Sequence, residues 1–194
     1  MVISNLKEFA RKLYYYKYYR KFRGKAKNVF LSRKGHILRP GEISLGENIF
    51  IGRGFYISAM KLEIGSDIMI GPNVLIECTN HRYDIPGKPM FNYADEKSSK
   101  GIRIENDVWI GGNVTILDGV TIGEGSVIGA SSIVTRSIPP YTISVGNPCK
   151  PLKKRFDDNT LEEHLRMVNS RYSVEQILES RNKYFKNETV NTKL

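Results

Sequence analysis

Residues 104–134 read IENDVW IGGNVT ILDGVT IGEGSV IGASSI V, with an aliphatic residue at every sixth position. A helical face returns every 3.6 residues and a half-buried strand every second residue, so neither explains this period. A short period held over several turns is typical of a solenoid built from stacked rungs. Glycine follows the aliphatic residue at positions 111, 123 and 129, where a tight backbone corner would suit it. The stretch therefore predicts an all-β solenoid with flat faces.

The same period continues upstream, at positions 45, 51 and 57 and, after one inserted residue, at 64, 70 and 76. The next aliphatic residue of the series, Ile104, follows Ile76 by 28 residues where six are expected. We therefore predict that about 22 residues, from Thr79 to Lys100, leave the solenoid as an extruded loop. Long loops on rigid scaffolds are usually functional or disordered. The aromatic residues Tyr83, Phe91 and Tyr93 in this loop favour a functional one.

These motifs resemble those of the hexapeptide-repeat acyltransferases, in the branch that acetylates galactosides, maltose, capsule sugars and xenobiotics. The resemblance spans about residues 30–156 and rests on five stretches: residues 107–116, 119–123, 126–130, 138–141 and 146–148. It implies a left-handed parallel β-helix that uses acetyl-coenzyme A as co-substrate. It also implies a homotrimer, with three protomers around a threefold axis and the active sites between them.

The chain's charge is concentrated at its start. Of a net charge of +10, residues 1–27 contribute nine Lys and Arg against the single acid Glu8. Apolar residues there recur every three to four positions, which predicts a basic aromatic helix over 1–27. We expect it to cap the first rung. Attachment to an anionic membrane surface is the alternative, whereas no nucleic-acid-binding motif accompanies the basic residues.

The remaining boundaries follow from composition and capping signals. The solenoid is expected over 28–153, followed by a helical segment over 154–194 with a frayed tail. Two hydroxyl residues, Thr160 and Ser173, stand three positions before Glu163 and Gln176. This reciprocal capping pattern predicts helices from about 160 to 168 and from about 173 to 184. No secretory signal or long apolar run is seen, so we expect a cytoplasmic protein, with the inner membrane face as the site of any peripheral attachment.

Only three histidines are available for acid–base chemistry, and His81 lies in the extruded loop. The resemblance implies that His81 is the general base, and an imidazole can exchange protons near neutral pH. We expect it to activate the acceptor hydroxyl for direct attack on the thioester, without an acyl-enzyme. Asn80, Tyr83 and Asp84 are candidates to orient His81 or hold the acceptor. For Asn80 and Asp84, turns that stabilise the loop are an equal alternative.

The coenzyme site implied by the resemblance runs along the outside of the rungs. Trp109, Gly111 and Gly112 would lie near the thioester, and Ala130 would offer backbone contacts. Four residues would bind the nucleotide end: Thr135, Arg136, Lys150 and Lys153. The sequence has Arg136 where the family often has Lys, which keeps the charge, and Gly112 where Ser is frequent, which removes one hydroxyl contact.

Other functions are less well supported. The three histidines are too dispersed for a zinc site, and Cys78 and Cys149 are expected to be small buried hydrophobic residues. We therefore predict O-acetylation of a sugar or a surface-polysaccharide precursor, with no metal and no nucleic-acid partner. Acetylation of an antibiotic, N-acylation of an amino sugar and a catalytically silent scaffold are the alternatives.

Overall fold

Short parallel strands, wound into a left-handed solenoid of about six turns, form most of this protein. The computed structural model describes residues 13, 15, 16, 18–58, 60–92 and 99–185. The strands are β1 (Arg23–Leu31), β2 (His36–Leu38), β3 (Ile43–Ile51), β4 (Tyr56–Ser58), β5 (Leu62–Ile64), β6 (Ile68–Ile70), β7 (Leu75–Glu77), β8 (Ile102–Ile104), β9 (Trp109–Ile110), β10 (Thr115–Leu117), β11 (Thr121–Ile122), β12 (Val127–Ile128), β13 (Ile133–Val134), β14 (Thr142–Val145) and β15 (Lys150–Lys154). They are followed by the helices α1 (Asp158–Val168) and α2 (Val174–Phe185).

The strands build three flat faces, and each turn adds one strand to every face. The first face contains the starts of β1 and β3, then β5, β8 and β11. The second face contains the ends of β1 and β3, then β6, β9, β12 and β14. The third face runs through β2, β4, β7, β10 and β13. Because β1 and β3 each turn a corner, the first two faces share one hydrogen-bonded sheet.

Aliphatic side chains fill the interior in columns. On the third face Ile37, Ile57, Ile76, Ile116 and Val134 are paired in register from turn to turn, and none is more than 4% exposed. Apart from Ile37, which precedes the series, these are the positions at which the sixfold period places an aliphatic residue. The predicted all-β solenoid is therefore confirmed.

The chain leaves this solenoid after β7 and returns at β8. In spite of the long excursion, Ile104 pairs with Ile64 and Ile116 pairs with Ile76. Between these strands the described residues contain one short 3-10 helix, Met90–Asn92. Tyr93 lies outside the described residues. The loop is thus an insertion that leaves the register of the rungs unchanged.

Close approach of successive turns requires glycine at the corners. The Gly111 amide donates a hydrogen bond of 2.8 Å to the Ile128 carbonyl oxygen in the next turn. A Cβ atom added at Gly111 would lie 2.6 Å from the backbone nitrogen of Ala130. A larger residue would push the two turns apart.

The N-terminal end is capped by aromatic side chains. Tyr15 lies in a helical stretch, is fully buried against the first turn and donates its hydroxyl to the Ser32 carbonyl. Tyr19 donates a 3.0 Å hydrogen bond to the Val29 carbonyl. Most of the basic helix predicted over 1–27, including 1–12, lies outside the described residues, and membrane attachment stays a prediction. The predicted end of this helix, at residue 27, is wrong, because residues from Arg23 onward belong to β1.

This correction has a clear physical cause. Residues 23–31 pair in parallel with β3, which completes the first turn of the solenoid. Two of their basic side chains gain acidic partners there. An Arg23 guanidinium nitrogen lies 3.6 Å from a carboxylate oxygen of Glu42, and the Lys27 ammonium lies 4.0 Å from a carboxylate oxygen of Glu47. The last part of the basic run, predicted as helix, therefore forms a strand.

The C-terminal end is closed differently. β15 turns back and pairs antiparallel with β14, so it covers an edge that would otherwise be open. Helix α1 begins two residues earlier than predicted because Asp157, not Thr160, is its N-cap and accepts a hydrogen bond from the Thr160 amide. The capping pattern at α2 has the expected form, with reciprocal bonds between Ser173 and Gln176. The tail from 186 lies outside the described residues, as does the predicted fraying.

Buried carboxylates hold these helices against the solenoid. Glu124 accepts hydrogen bonds from the hydroxyls of Tyr141, at 2.8 Å, and Ser170. Glu105 accepts from the Tyr172 hydroxyl at 2.9 Å and pairs with Arg171. Among the helices that the structure describes, none has the length and apolar content needed to span a bilayer.

The interior column should dominate stability. We expect Ile116→Ala to lower the free energy of unfolding by about 2–5 kcal/mol, because it opens a cavity that the rigid turns above and below cannot fill. The neighbouring Leu117 points outward from the same strand and is partly exposed, so Leu117→Ala should cost less than about 1 kcal/mol. Urea unfolding followed by circular dichroism, at equal protein concentrations, measures both. Equal losses in the two variants would contradict the column as the main source of stability.

Candidate functional site

Two carboxylates clamp the base of the extruded loop. Where the chain departs, Glu77 accepts a 2.8 Å hydrogen bond from the Thr79 amide. Where it returns, Asp118 accepts bonds from the amides of Lys100, at 2.9 Å, and Gly101, at 2.8 Å. The Ser99 hydroxyl donates a further 2.9 Å bond to Asp118. The loop therefore starts and ends on rigid turns.

His81 lies four residues beyond Glu77, with an exposed side chain. Its amide donates a 2.8 Å hydrogen bond to the side-chain oxygen of Asn80. Asp84 pairs with Arg82 through two bonds of 2.6 and 3.1 Å, and this guanidinium holds the pKa of Asp84 below its usual range. In the single chain, Asn80 and Asp84 thus make the loop-stabilising contacts that were one of their two expected roles.

The same loop presents large apolar side chains to solvent. Phe91 is 93% exposed, and Tyr83 and Met90 are also largely exposed. Such side chains on an ordered loop are typical of surfaces that contact a ligand or another protein. The exposed imidazole of His81 therefore lies in a loop that also offers aromatic contacts.

Four residues expected to contact the coenzyme meet at the corner between the second and third faces. Trp109 is on the outer side of β9 and is 52% exposed. Gly111 and Gly112 form the corner that follows, and Ala130 lies directly beyond Gly111 in the next turn. Small residues at this corner leave the backbone accessible to an extended ligand.

The predicted nucleotide-end residues lie beside a cavity at the C-terminal end of the solenoid. This cavity has a volume of about 570 Å³, and Thr135, Arg136 and Lys150 line it. Lys183 and Tyr184 of α2 form another part of its wall. Among the described residues that line it, none is acidic, so its electrostatic character favours an anion. Lys153, on β15, is exposed and does not line this cavity.

Sequence reasoning missed three residues that shape these features. Asp118 precedes Gly119, a pairing that indicated only a turn. The sequence predicts a helix that includes Lys183 and Tyr184 but indicates no role for them. No local signal identifies them, because their neighbours at the cavity, Thr135 and Arg136, are almost fifty residues earlier in the chain.

The two cysteines are not suited to nucleophilic chemistry. Cys78 is fully buried in the core, and burial raises the pKa of its thiol to about 11. Burial likewise raises the pKa of Cys149. Because the reactive species is the thiolate, neither thiol is activated, in agreement with their expected role as small buried hydrophobic residues.

The three histidines lie on three different elements of the fold. His36 stacks on Tyr56, with ring centroids 5.4 Å apart, and His164 on α1 has its Nε2 atom 3.6 Å from Asp107. His81 is in the loop. Within the part of the chain that the structure describes, no three His, Cys, Asp or Glu residues are grouped to hold a metal ion.

Comparisons with known proteins agree with this architecture. The family model "Bacterial transferase hexapeptide (six repeats)" matches residues 101–136. The galactoside O-acetyltransferase of Escherichia coli K12 is 41% identical over 125 residues, which cover 61% of this chain and 60% of that protein. A probable macrolide acetyltransferase of Lysinibacillus sphaericus is 37% identical over 134 residues, covering 62% of this chain and 74% of the relative.

A solved structure extends the likeness to three dimensions. The hexapeptide-repeat acetyltransferase of Vibrio cholerae O1 biovar eltor, complexed with acetyl-coenzyme A, superposes with a TM-score of 0.66 and 30% identity. The match covers 74% of this chain and 76% of that one. The rung period, the corner glycines and the inserted loop define a transferase-type left-handed β-helix. The chain belongs to the hexapeptide-repeat acetyltransferase family. It spans about 60% of the length of several relatives, including the one from E. coli.

The clamp at the loop base should control local opening. We expect Asp118→Ala to raise the rate of tryptic cleavage after Arg82 about fivefold, since losing about 1 kcal/mol of hydrogen bonding increases the open population by that factor. Digestion under native conditions, followed by mass spectrometry, measures the rate. Glu162→Ala, at an exposed position of α1, serves as the control and should leave it unchanged. An unaltered rate in Asp118→Ala would show that the loop is held elsewhere.

Proposed function

We propose that this protein is an acetyl-coenzyme A-dependent O-acetyltransferase acting on a hydroxyl of a sugar or a surface-polysaccharide precursor. The observation that carries the proposal is the cationic cavity beside Arg136 and Lys150 in a chain of this family. It suits the phosphorylated end of the coenzyme, while the corner at Trp109 and Gly111 suits the thioester end. The V. cholerae acetyltransferase bound to acetyl-coenzyme A and the similarity to the E. coli galactoside O-acetyltransferase support the same function.

The proposed reaction is a direct transfer within a ternary complex. The His81 imidazole removes the proton from the acceptor hydroxyl while the oxygen attacks the thioester carbonyl. The tetrahedral intermediate then collapses, the carbon–sulfur bond breaks, and the imidazolium returns its proton to the departing thiolate. No acyl-enzyme is invoked, because the buried Cys78 has a raised pKa and cannot serve as the nucleophile.

The loop provides the proposed acceptor site. Tyr83 and Phe91 are exposed on the same loop as the base and can pack on the apolar face of a pyranose ring. The polar side chains of Asn80 and Asp84 lie on either side of His81 in the sequence and can bind ring hydroxyls by exchanging their present loop contacts. A macrolide would use the same apolar groups, so the Lysinibacillus relative makes an antibiotic the second candidate acceptor.

We further propose that the active unit is a homotrimer. On the second face the outward residues Phe50, Met69 and Trp109 are in register and exposed, and Phe30 stacks on Phe50 with centroids 5.1 Å apart. An exposed apolar column of this length is typical of a subunit interface. A neighbouring subunit there would give the open coenzyme corner a second wall and bring another loop to it.

The role of His81 is testable with a matched histidine. We expect His81→Ala to lower kcat at least about 100-fold, the usual cost of losing a general base, while coenzyme affinity changes less than about threefold. His36→Ala, at an exposed position on β2, should retain activity. Thiol release from acetyl-coenzyme A, measured with galactosides, nucleotide sugars, amino sugars, a macrolide and chloramphenicol, gives both the rate and the acceptor. Turnover that survives in His81→Ala would contradict this mechanism. Coenzyme binding by the wild-type protein without turnover of any acceptor would favour a catalytically silent scaffold.

The trimer predicts a mass of about 66 kDa in solution, three copies of a 22.1-kDa chain. We expect Met69→Glu to dissociate it, because a charge would be buried at the centre of the apolar column. The same substitution at the exposed Met167 of α1 should leave the mass unchanged. Light scattering coupled to gel filtration distinguishes these outcomes. A monomeric wild-type protein would refute the proposed assembly.

A further inference from the structure

The cavity at the C-terminal end is built from two distant parts of the chain. Arg136 and Lys150 come from the last turn of the solenoid and the strand that closes it. Lys183 comes from the final turn of α2. The sixfold repeat ends long before Lys183. The positive charge of Lys183 therefore reaches the cavity only because α2 docks against the solenoid.

The position of α2 is strongly determined. Arg181 is fully buried, and its guanidinium donates hydrogen bonds of 3.3 and 2.9 Å to the carbonyl oxygens of Pro140 and Tyr141. One turn earlier, Ile177 is fully buried against α1. The Tyr184 hydroxyl donates a 3.1 Å bond to the Ser137 carbonyl. Because a buried guanidinium keeps its hydrogen bonds, these contacts hold the last turn of α2 at the cavity wall.

The Lys183 side chain is able to change partners. Its ammonium lies 3.4 Å from a carboxylate oxygen of Glu179, and the two side chains are 72% and 76% exposed. An ion pair between side chains this exposed contributes little. A lysine ammonium is also a common ligand for phosphate. A dianionic phosphate in the cavity would therefore compete well with Glu179.

We propose that Lys183 binds the 3′-phosphate of coenzyme A, together with Arg136 and Lys150. The inference rests on the proposed function, since it assigns part of the same coenzyme site. The 3′-phosphate is the appropriate anion because it lies at the opposite end of the coenzyme from the thioester. The thioester corner at Trp109 belongs to an earlier turn, whereas the cavity lies at the closed end of the solenoid. The Tyr184 ring, held through its hydroxyl, provides an adjoining wall.

Isothermal titration with coenzyme A and with 3′-dephospho-coenzyme A tests this assignment. We expect Lys183→Ala to weaken coenzyme A binding about tenfold, the usual effect of removing a charge-assisted hydrogen bond, and to change the affinity for the dephospho form less than about twofold. Lys183→Arg should retain most of the affinity because it keeps the charge. Arg166→Ala, at an exposed position on α1 outside the cavity lining, is the control and should bind both ligands like the wild type.

Three results would overturn the inference in distinguishable ways. Unchanged coenzyme A binding by Lys183→Ala would show that the lysine takes no part. Equal weakening for both ligands would mean that Lys183 acts on a group other than the 3′-phosphate or supports the cavity wall only. Failure of the wild-type protein to bind either ligand would refute the coenzyme site itself, and with it the proposed function. Thermal unfolding of each variant verifies that its helices remain docked.

Discussion

Each turn of this solenoid depends on aliphatic side chains lying directly over their counterparts in the preceding turn. Parallel hydrogen bonding reinforces the same register, as the pairing of Ile57 with Ile76 and of Ile76 with Ile116 illustrates. A shift of one residue would turn an aliphatic side chain outward and bring a polar one into the core. Additional residues are therefore tolerated only where the chain leaves a face. Both insertions, the single residue before Ile64 and the loop before Ile104, occur at the corner between the third and first faces.

The two insertions also contact each other. The Lys61 carbonyl, at the first insertion, accepts a 3.1 Å hydrogen bond from the Ile102 amide, and the Lys61 ammonium lies 3.4 Å from the Ser99 carbonyl. The short insertion thus helps to receive the returning end of the long one. With Glu77 and Asp118 at its base, the loop is restrained at both ends, while the described side chains of Tyr83 and Phe91 between them are exposed. This arrangement leaves His81 exposed while the base of the loop stays rigid.

Sequence could predict the features that arise from local or periodic rules. The sixfold period identified the turns and the position of the loop, and the Ser173–Gln176 pattern identified the start of α2. It could not give the start of β1, since a basic aromatic segment suits a helix as well as a strand until β3 is present as a partner. It also could not assign Lys183 to a cavity. That placement depends on how α2 docks, through contacts such as Arg181 with Pro140 that join residues forty-one positions apart.

The C-terminal end shows how a structural requirement can create a cationic cavity. A solenoid must cover its last turn, because an open edge invites association with other chains. Here β15 and the two helices provide the cover, and their own hydrophobic cluster around Tyr141, Leu161 and Ile177 is separate from the solenoid core. The side chains at the edge of this cover necessarily lie next to the final turn, where Arg136 already provides positive charge. The hydrophobic cluster of the C-terminal helices is separate from the solenoid core. Exposed residues of α2 can therefore vary to suit a ligand with little effect on the folding of the turns beneath them.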